Sequence, residues 1–169
     1  SNLEIGFKGN PNIGSVVLNQ FTKSEAFQAF AESFEKDDRI FIVSSIFGGT
    51  GAAGFPLLLK NIRQGFVNER FYAHLKNSVI GAITLQPYFK VKQDDESEID
   101  SHGFISKTKA ALHYYFKNVT GNNTINALYY IGDLAENTYE NNLNFRYPYK
   151  TSKSKFRFTW RWYIDPFWW

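Results

Sequence analysis

Hydrophobic positions along this chain switch several times between a helical period and a strand-like run. Ile13, Val16, Val17 and Phe21 fall at helical spacing after a turn-rich opening with Gly6, Gly9, Asn10-Pro11 and Gly14. Phe27, Phe30, Ala31 and Phe34 recur at i, i+3, i+4 and i+7. That spacing predicts a second helix, with Thr22 or Ser24 as its cap and Lys36-Asp37-Asp38 as its end. Arg39 to Ser45 is a short β-branched apolar run, which predicts a strand buried on both faces, as in a parallel sheet. Phe47-Gly48-Gly49-Thr50-Gly51-Ala52-Ala53-Gly54 follows as a loop. Leu57, Leu58, Leu59 and Ile62 then predict a helix with Pro56 in its first turn.

The alternation continues. Ser78 to Leu85 reads as a second strand, stopped by Gln86-Pro87-Tyr88, and the acidic stretch 93–101 as a loop. Phe104 to Lys117 has helical spacing, and Asn126 to Ile131 is a third apolar strand ended by Gly132-Asp133. Strands and helices in alternation predict an α/β fold. The sheet is expected to be mainly parallel, with right-handed crossovers, helices on both faces and hence three layers.

The glycine segment carries the candidate chemistry. Amides at a helix N-terminus lack partners, and the helix dipole adds partial positive charge there. Gly48, Gly49 and Gly51 would let the backbone approach a phosphate with no Cβ in the way, and Thr50 adds a hydroxyl donor. The same glycines would equally serve a tight turn where a helix packs close to a strand. No Gly-Lys-Ser/Thr follows, which separates the segment from P-loop NTPases, and it is read apart from the usual dinucleotide fingerprint as well.

Three segments taken together go further. Gly9-Asn10-Pro11-Asn12-Ile13-Gly14 opens the first helix, Gly48-Gly49-Thr50-Gly51-Ala52-Ala53 follows a strand, and Ile80 to Phe89 is the next strand and its exit. Their order and spacing resemble the tubulin/FtsZ superfamily over roughly Gly6 to Asp133. In that family a Gly-Asn-Pro loop begins a helix, a Gly-Gly-Gly-Thr-Gly loop follows a strand, and the next strand runs into Thr-Lys-Pro-Phe. The resemblance implies a Rossmann-like guanine-nucleotide (GTP/GDP) domain, with magnesium shielding the phosphates and head-to-tail filament assembly. Gly48, Gly49, Thr50 and Gly51 would wrap the phosphates. Gly9 and Asn10 would face the terminal phosphate, Pro87 and Tyr88 would approach the ribose, and Asp133 would lie at the base- or ribose-contacting turn.

The sequence also departs from that pattern. Phe47 replaces one glycine of the phosphate loop, Val91 stands where the family has a glutamate, and Ile131-Gly132-Asp133 replaces Pro-Asn-Asp. The opening strand with its glycine-rich turn has no counterpart, nor does the acidic Asn-x-Asp-x-x-Asp/Glu loop used for hydrolysis. The chain reads as the middle of such a domain, so hydrolysis is not assigned to it. Its start at Ser1-Asn2, with no methionine anywhere, fits a piece of a longer protein.

Composition narrows the classes. At 169 residues, 43% hydrophobic and 21% charged, the chain is long and apolar enough for one packed domain. The absence of cysteine excludes disulfides, thiolate-bound metals and thiol catalysis. With no basic-then-apolar leader in view, the expected location is cytoplasmic. His74, His102 and His113 have no ligand spacing, and Asp94, Asp95, Glu96, Glu98 and Asp100 lack the central glycine of a calcium loop.

Charge is uneven. Arg146, Lys150, Lys153, Lys155, Arg157 and Arg161 face only Asp165 in the last stretch, so the net +3 divides into +5 there and −2 elsewhere. All four tryptophans lie in that stretch too. We therefore place a boundary near 145, between the partial nucleotide-binding domain that the resemblance implies, 1–145, and a basic aromatic tail, 146–169. Lys155 to Trp162 alternates polar and aromatic residues, as would suit a strip for single-stranded nucleic acid or an anionic membrane surface. The same alternation would suit an added strand covering the core, and the abrupt composition change would also fit an out-of-frame ending. The alternative to nucleotide binding is a non-enzymatic interaction or scaffold module. Its sheet edge, left unpaired by the missing strand, would drive self-association.

Overall fold

The computed structural model describes residues 11–18, 23–91, 101–134 and 138–139. Gly9, Asn10, Phe21, Thr22, the acidic stretch 93–100, the boundary near 145 and the tail 146–169 lie outside them. Helix α1 (Pro11–Leu18) opens on a proline, which has no N–H to leave unpaired in a first turn. The Ser24 hydroxyl accepts from the Phe27 amide at 3.2 Å and caps α2 (Glu25–Ser33), whose Phe27 and Ala31 are buried. The Asp38 carboxylate accepts from the Glu35 amide at 2.9 Å, closing the turn into β1 (Arg39–Ser45). Helix α3 (Gly49–Gln64) ends on Gly65, whose N–H donates to the Asn61 and Ile62 carbonyls. Gly65 has φ 72°, and a Cβ there would meet Lys76 Cβ at 2.9 Å, so the position requires glycine.

A hairpin that the hydrophobic pattern does not announce comes next. It pairs β2 (Phe66–Val67) with β3 (Arg70–Phe71) around Asn68 and Glu69, both at positive φ. That left-handed pair is the geometry of a type I′ turn. The chain continues through α4 (Ala73–Lys76), β4 (Val79–Leu85), β5 (Lys90–Val91) and α5 (Ser101–Tyr115). A π-helical turn (Phe116–Thr120), β6 (Ala127–Ile131) and β7 (Thr138–Tyr139) follow, and β7 pairs in parallel with β5.

The central sheet has the order β1-β4-β6, all parallel, with Phe41 opposite Gly81 and Gly81 opposite Ala127. Both crossovers step the same way across the sheet, so right-handed connections put α3 and α5 on one face. The core lies there: Phe55, Leu59 and Ile62 of α3, Tyr115 and Val119, and Phe27 and Ala31 of α2 pack over Ile42, Ile80 and Ala82. The opposite face leaves Phe41, Val43 and Val79 exposed at 58%, 67% and 36%.

Two expectations are corrected by this arrangement. A third layer needs a reversal of strand order, and the described strands show none, so the described residues form two layers. Strand β1 is accordingly covered on one face rather than both, with Arg39, Phe41 and Val43 exposed. Only the central β4 carries consecutive buried residues. No helix among the described residues is long and apolar enough to cross a membrane.

At the amino edge of the sheet, Arg63 ties α3 to the strand entries. Its Nε donates to Thr124 O at 2.6 Å, and its Nη1 donates to Lys76 O and Ser78 O at 2.9 and 2.7 Å. Its Nη2 reaches Asn126 Oδ1 at 3.2 Å, the same oxygen that accepts from Ile80 N at 2.8 Å.

Candidate functional site

The carboxyl edge of the sheet brings the candidate residues together. Strand β1 leaves through Ile46-Phe47-Gly48 directly into α3, with Ile46 N donating to Leu85 O at 2.9 Å. Strand β4 leaves through Gln86-Pro87-Tyr88, with Gln86 N donating to Ile131 O at 2.7 Å. Strand β6 leaves through Gly132 and Asp133. Gly48 to Gly51, Pro87 and Asp133 thus sit at the exits of three adjacent strands. Gly9 and Asn10 lie outside the described residues.

Helix α3 starts earlier than the sequence pattern implies. Gly48 is its N-cap, with extended backbone (φ −92°, ψ 159°) and no side-chain cap. The first intrahelical bond runs from Ala52 N to Gly48 O at 3.2 Å. The amides of Gly49, Thr50 and Gly51 therefore have no intrahelical acceptor. No acidic residue stands in the first turn to neutralise the dipole, and Thr50 is exposed. The expected loop from Gly49 to Gly54 is helical instead, and Pro56 lies well inside the helix rather than in its first turn.

Proline in a helix interior takes away the donor of the carbonyl four residues earlier. Here the Tyr115 hydroxyl donates to Ala52 O at 3.1 Å, and the Tyr115 ring stacks edge-on against Phe55. Burial pushes the Tyr115 phenol well above its ordinary range, with smaller contributions from Tyr130 and Tyr114.

The glycines divide the work unequally. A Cβ on Gly51 would collide with the Ser45 carbonyl and lie 2.8 Å from Ser45 Oγ and 2.9 Å from Ser45 N. Gly51 is therefore the close-packing glycine between α3 and β1. A Cβ on Gly48 would meet Ser45 Oγ at 3.5 Å, an ordinary contact, and one on Gly54 would meet Leu18 of α1 at 3.2 Å.

The separation from the dinucleotide fingerprint also needs correcting, because Gly49-Thr50-Gly51-Ala52-Ala53-Gly54 has the spacing G-x-G-x-x-G. It follows a strand and opens a helix, as the fingerprint requires. The acidic ribose ligand expected at the end of the next strand is absent, since Leu85-Gln86-Pro87 stands there.

Phe47 occupies the turn itself. Its ring meets Tyr88 and Phe89 edge-on at 6.1 and 5.5 Å and Phe104 of α5 at 5.7 Å. This cluster pins the β1 exit to the β4 exit, so the half-buried Pro87-Tyr88 segment lies beside the glycines. Asp133 is exposed, and its carboxylate accepts from Leu134 N at 2.8 Å. Thr108 of α5 is a residue that spacing did not single out. It is 6% exposed, and its hydroxyl is buried with no hydrogen-bond partner. Its signal in the sequence is a threonine on the apolar stripe running from Phe104 to Tyr115. Among the described residues, no three His, Asp or Glu side chains converge as a metal site would need.

No protein-family model matches this chain, and no curated protein matches it.

Proposed function

We propose that this chain binds the phosphates of a guanine nucleotide, GTP or GDP, at the N-terminus of α3, in a cytoplasmic domain of the tubulin/FtsZ type. One observation carries the reading: three consecutive amides, of Gly49, Thr50 and Gly51, lack intrahelical acceptors at the carboxyl edge of a parallel sheet. Ligands of open α/β sheets bind outside that edge. The exposed Thr50 hydroxyl adds a donor, Pro87 and Tyr88 flank the site, and Asp133 stands at the next strand exit. Magnesium enters only as the ion that shields the phosphates. In a longer parent protein such domains would stack head to tail.

Titration of GTP, GDP, ATP and NADH against the full chain tests this. Guanine nucleotides binding ahead of ATP support the reading in full. Equal binding of GTP and ATP would leave phosphate capture and remove base preference, NADH binding best would favour the dinucleotide spacing, and no binding at millimolar concentration would overturn the proposal.

The uncovered sheet face favours a second reading, an interaction or scaffold module. Phe41 and Val43 of β1, an edge strand of the described sheet, form an exposed apolar strip with Val79 of β4. Sedimentation at increasing concentration should then show a dimer that Phe41→Ser weakens. A strict monomer at high concentration removes this reading.

A further inference from the structure

The central sheet carries a row of in-register side chains on the face away from its helices. Phe41 and Val43 stand there from β1, Val79 and Gly81 from β4, and Ala127 and Tyr129 from β6. The middle of this face is hollow. The Phe41 ring leans over Gly81, where a Cβ would lie 2.9 Å from it, and an open apolar depression of about 160 Å³ runs from Phe41 and Val79 to Tyr129. Phe41, Val43 and Val79 are exposed, so the face holds apolar surface in water.

Residues 140–169 follow the last described strand. Within them Phe156, Phe158, Trp160 and Trp162 alternate with Lys155, Arg157, Thr159 and Arg161. At strand spacing the four rings fall on one side and the cations on the other, which is the pattern of a strand with one buried and one solvated face. We propose that segment 155–162 lies on the open face of the sheet, its four aromatic rings against Phe41, Val43 and Val79 and one of them in the depression over Gly81, with its cations in water. This goes beyond the nucleotide reading and does not depend on it.

Reach, tethering and charge favour this occupant over a second copy. Residues 140–154 can extend roughly 50 Å, against about 10 Å for the width of three strands. A tethered segment meets its site at an effective concentration on the order of millimolar, whereas a second copy competes only at the concentration of the protein. The tail carries +5 and the rest of the chain −2, so the segment is drawn to its own domain, while two whole chains at +3 repel. Leu3, Ile5 and Phe7 alternate too, but they lead into α1, which packs on α3 where Leu18 meets Gly54. Self-association through Phe41 is then what the chain does only when the tail is displaced.

Tryptophan fluorescence of the full chain tests the assignment, because all four tryptophans lie in the tail. The parent emission should lie to the blue of the same chain in urea, resist acrylamide, and stay unchanged on dilution while sedimentation shows a monomer. Replacing two exposed residues of the face together, Phe41→Ser with Val43→Ser, should shift the emission to the red and open it to acrylamide. Phe156→Ser with Phe158→Ser keeps every tryptophan and should do the same. Ile105→Ser, at an exposed apolar position of α5, should change neither reading. Far-ultraviolet dichroism checks that each variant keeps its fold. Parent emission equal to that in urea overturns the proposal, including where it turns blue only on adding phosphatidylserine vesicles or oligothymidylate. Blue emission that appears only at concentrations where a dimer forms gives the face to a second copy and overturns it. A blue emission that either serine pair leaves unmoved, or that Ile105→Ser moves equally, places the rings elsewhere and overturns it too.

Discussion

The Tyr115 hydroxyl donates to the Ala52 carbonyl at 3.1 Å, and that carbonyl is the one whose helical donor Pro56 removes. Proline in the interior of α3 and tyrosine in the core beneath it are therefore one feature. Tyr115→Phe should destabilise the chain by about 1–3 kcal/mol, because it leaves a buried acceptor unmade. In a Pro56→Ala background the alanine N–H can serve Ala52, so the same Tyr115→Phe change should cost clearly less. Urea unfolding of the four proteins of this cycle measures the coupling. Equal costs in both backgrounds would show that the two residues act independently.

Alkaline pH should weaken the fold through the same side chain. Burial raises the Tyr115 phenol above its ordinary value of 10.0, and Tyr130 is raised for the same reason. A raised folded value means that the unfolded chain ionises first. The contribution is therefore complete below pH 10.0 and is lost as pH climbs above it. Unfolding followed by far-ultraviolet dichroism should accompany the appearance of tyrosinate absorbance. Tyr115→Phe should lose stability less steeply over that range than the parent chain.

Gly51 and Gly48 should respond oppositely to a methyl group. Gly51→Ala drives a Cβ into the Ser45 backbone and should cost about 1–3 kcal/mol, read as a lowered thermal midpoint. Gly48→Ala meets Ser45 Oγ at an ordinary 3.5 Å and should leave the midpoint nearly unchanged. A comparable loss in both variants would mean that α3 does not seat on β1 through Gly51.

Thr50→Ala should leave the fold intact, since Thr50 is exposed and caps nothing. It should weaken GDP binding roughly tenfold if its hydroxyl meets a phosphate. Calorimetry on a variant with an unchanged midpoint decides this.

Much of the frame is legible in the residues themselves. The Ser24 cap, the apolar runs of β1, β4 and β6, and the spacing of Phe27 and Ala31 report local physics, and each lies where its pattern places it. What was not legible depends on contacts between distant segments. Pro56 signals a helix start until Tyr115, far along the chain, supplies the missing donor. The β2–β3 turn hides because Glu69 occupies a left-handed position usually held by glycine. Layer count follows from the direction of successive crossovers, which periodicity does not encode. At the candidate site, the glycines announced the α3 N-terminus, but their separate duties became visible only when Ser45 was found against Gly51. Thr108 looked like one more residue on an amphipathic helix until its burial and lack of a partner were known.

Arg63 offers the sharpest test of how α3 is held on the sheet. A guanidinium presents a rigid fork of donors, and here they engage the Thr124, Lys76 and Ser78 carbonyls and the Asn126 side chain. The acceptors belong to the segments entering β4 and β6, so one side chain fixes where both strands begin. Burial lowers the Arg63 pKa, yet the group keeps its charge at any working pH. Arg63→Ala leaves several carbonyls without a donor and should cost at least about 2 kcal/mol. Arg63→Lys keeps the charge but cannot reproduce the fork, so it should recover only part of that loss. Amide exchange adds a local readout. In both variants the Ile80 and Asn126 amides, which bond across the β4–β6 entry, should exchange faster than amides at the carboxyl edge such as Ile46. A lysine variant as stable as the parent chain, with protection unchanged at Ile80, would show that charge alone holds this edge.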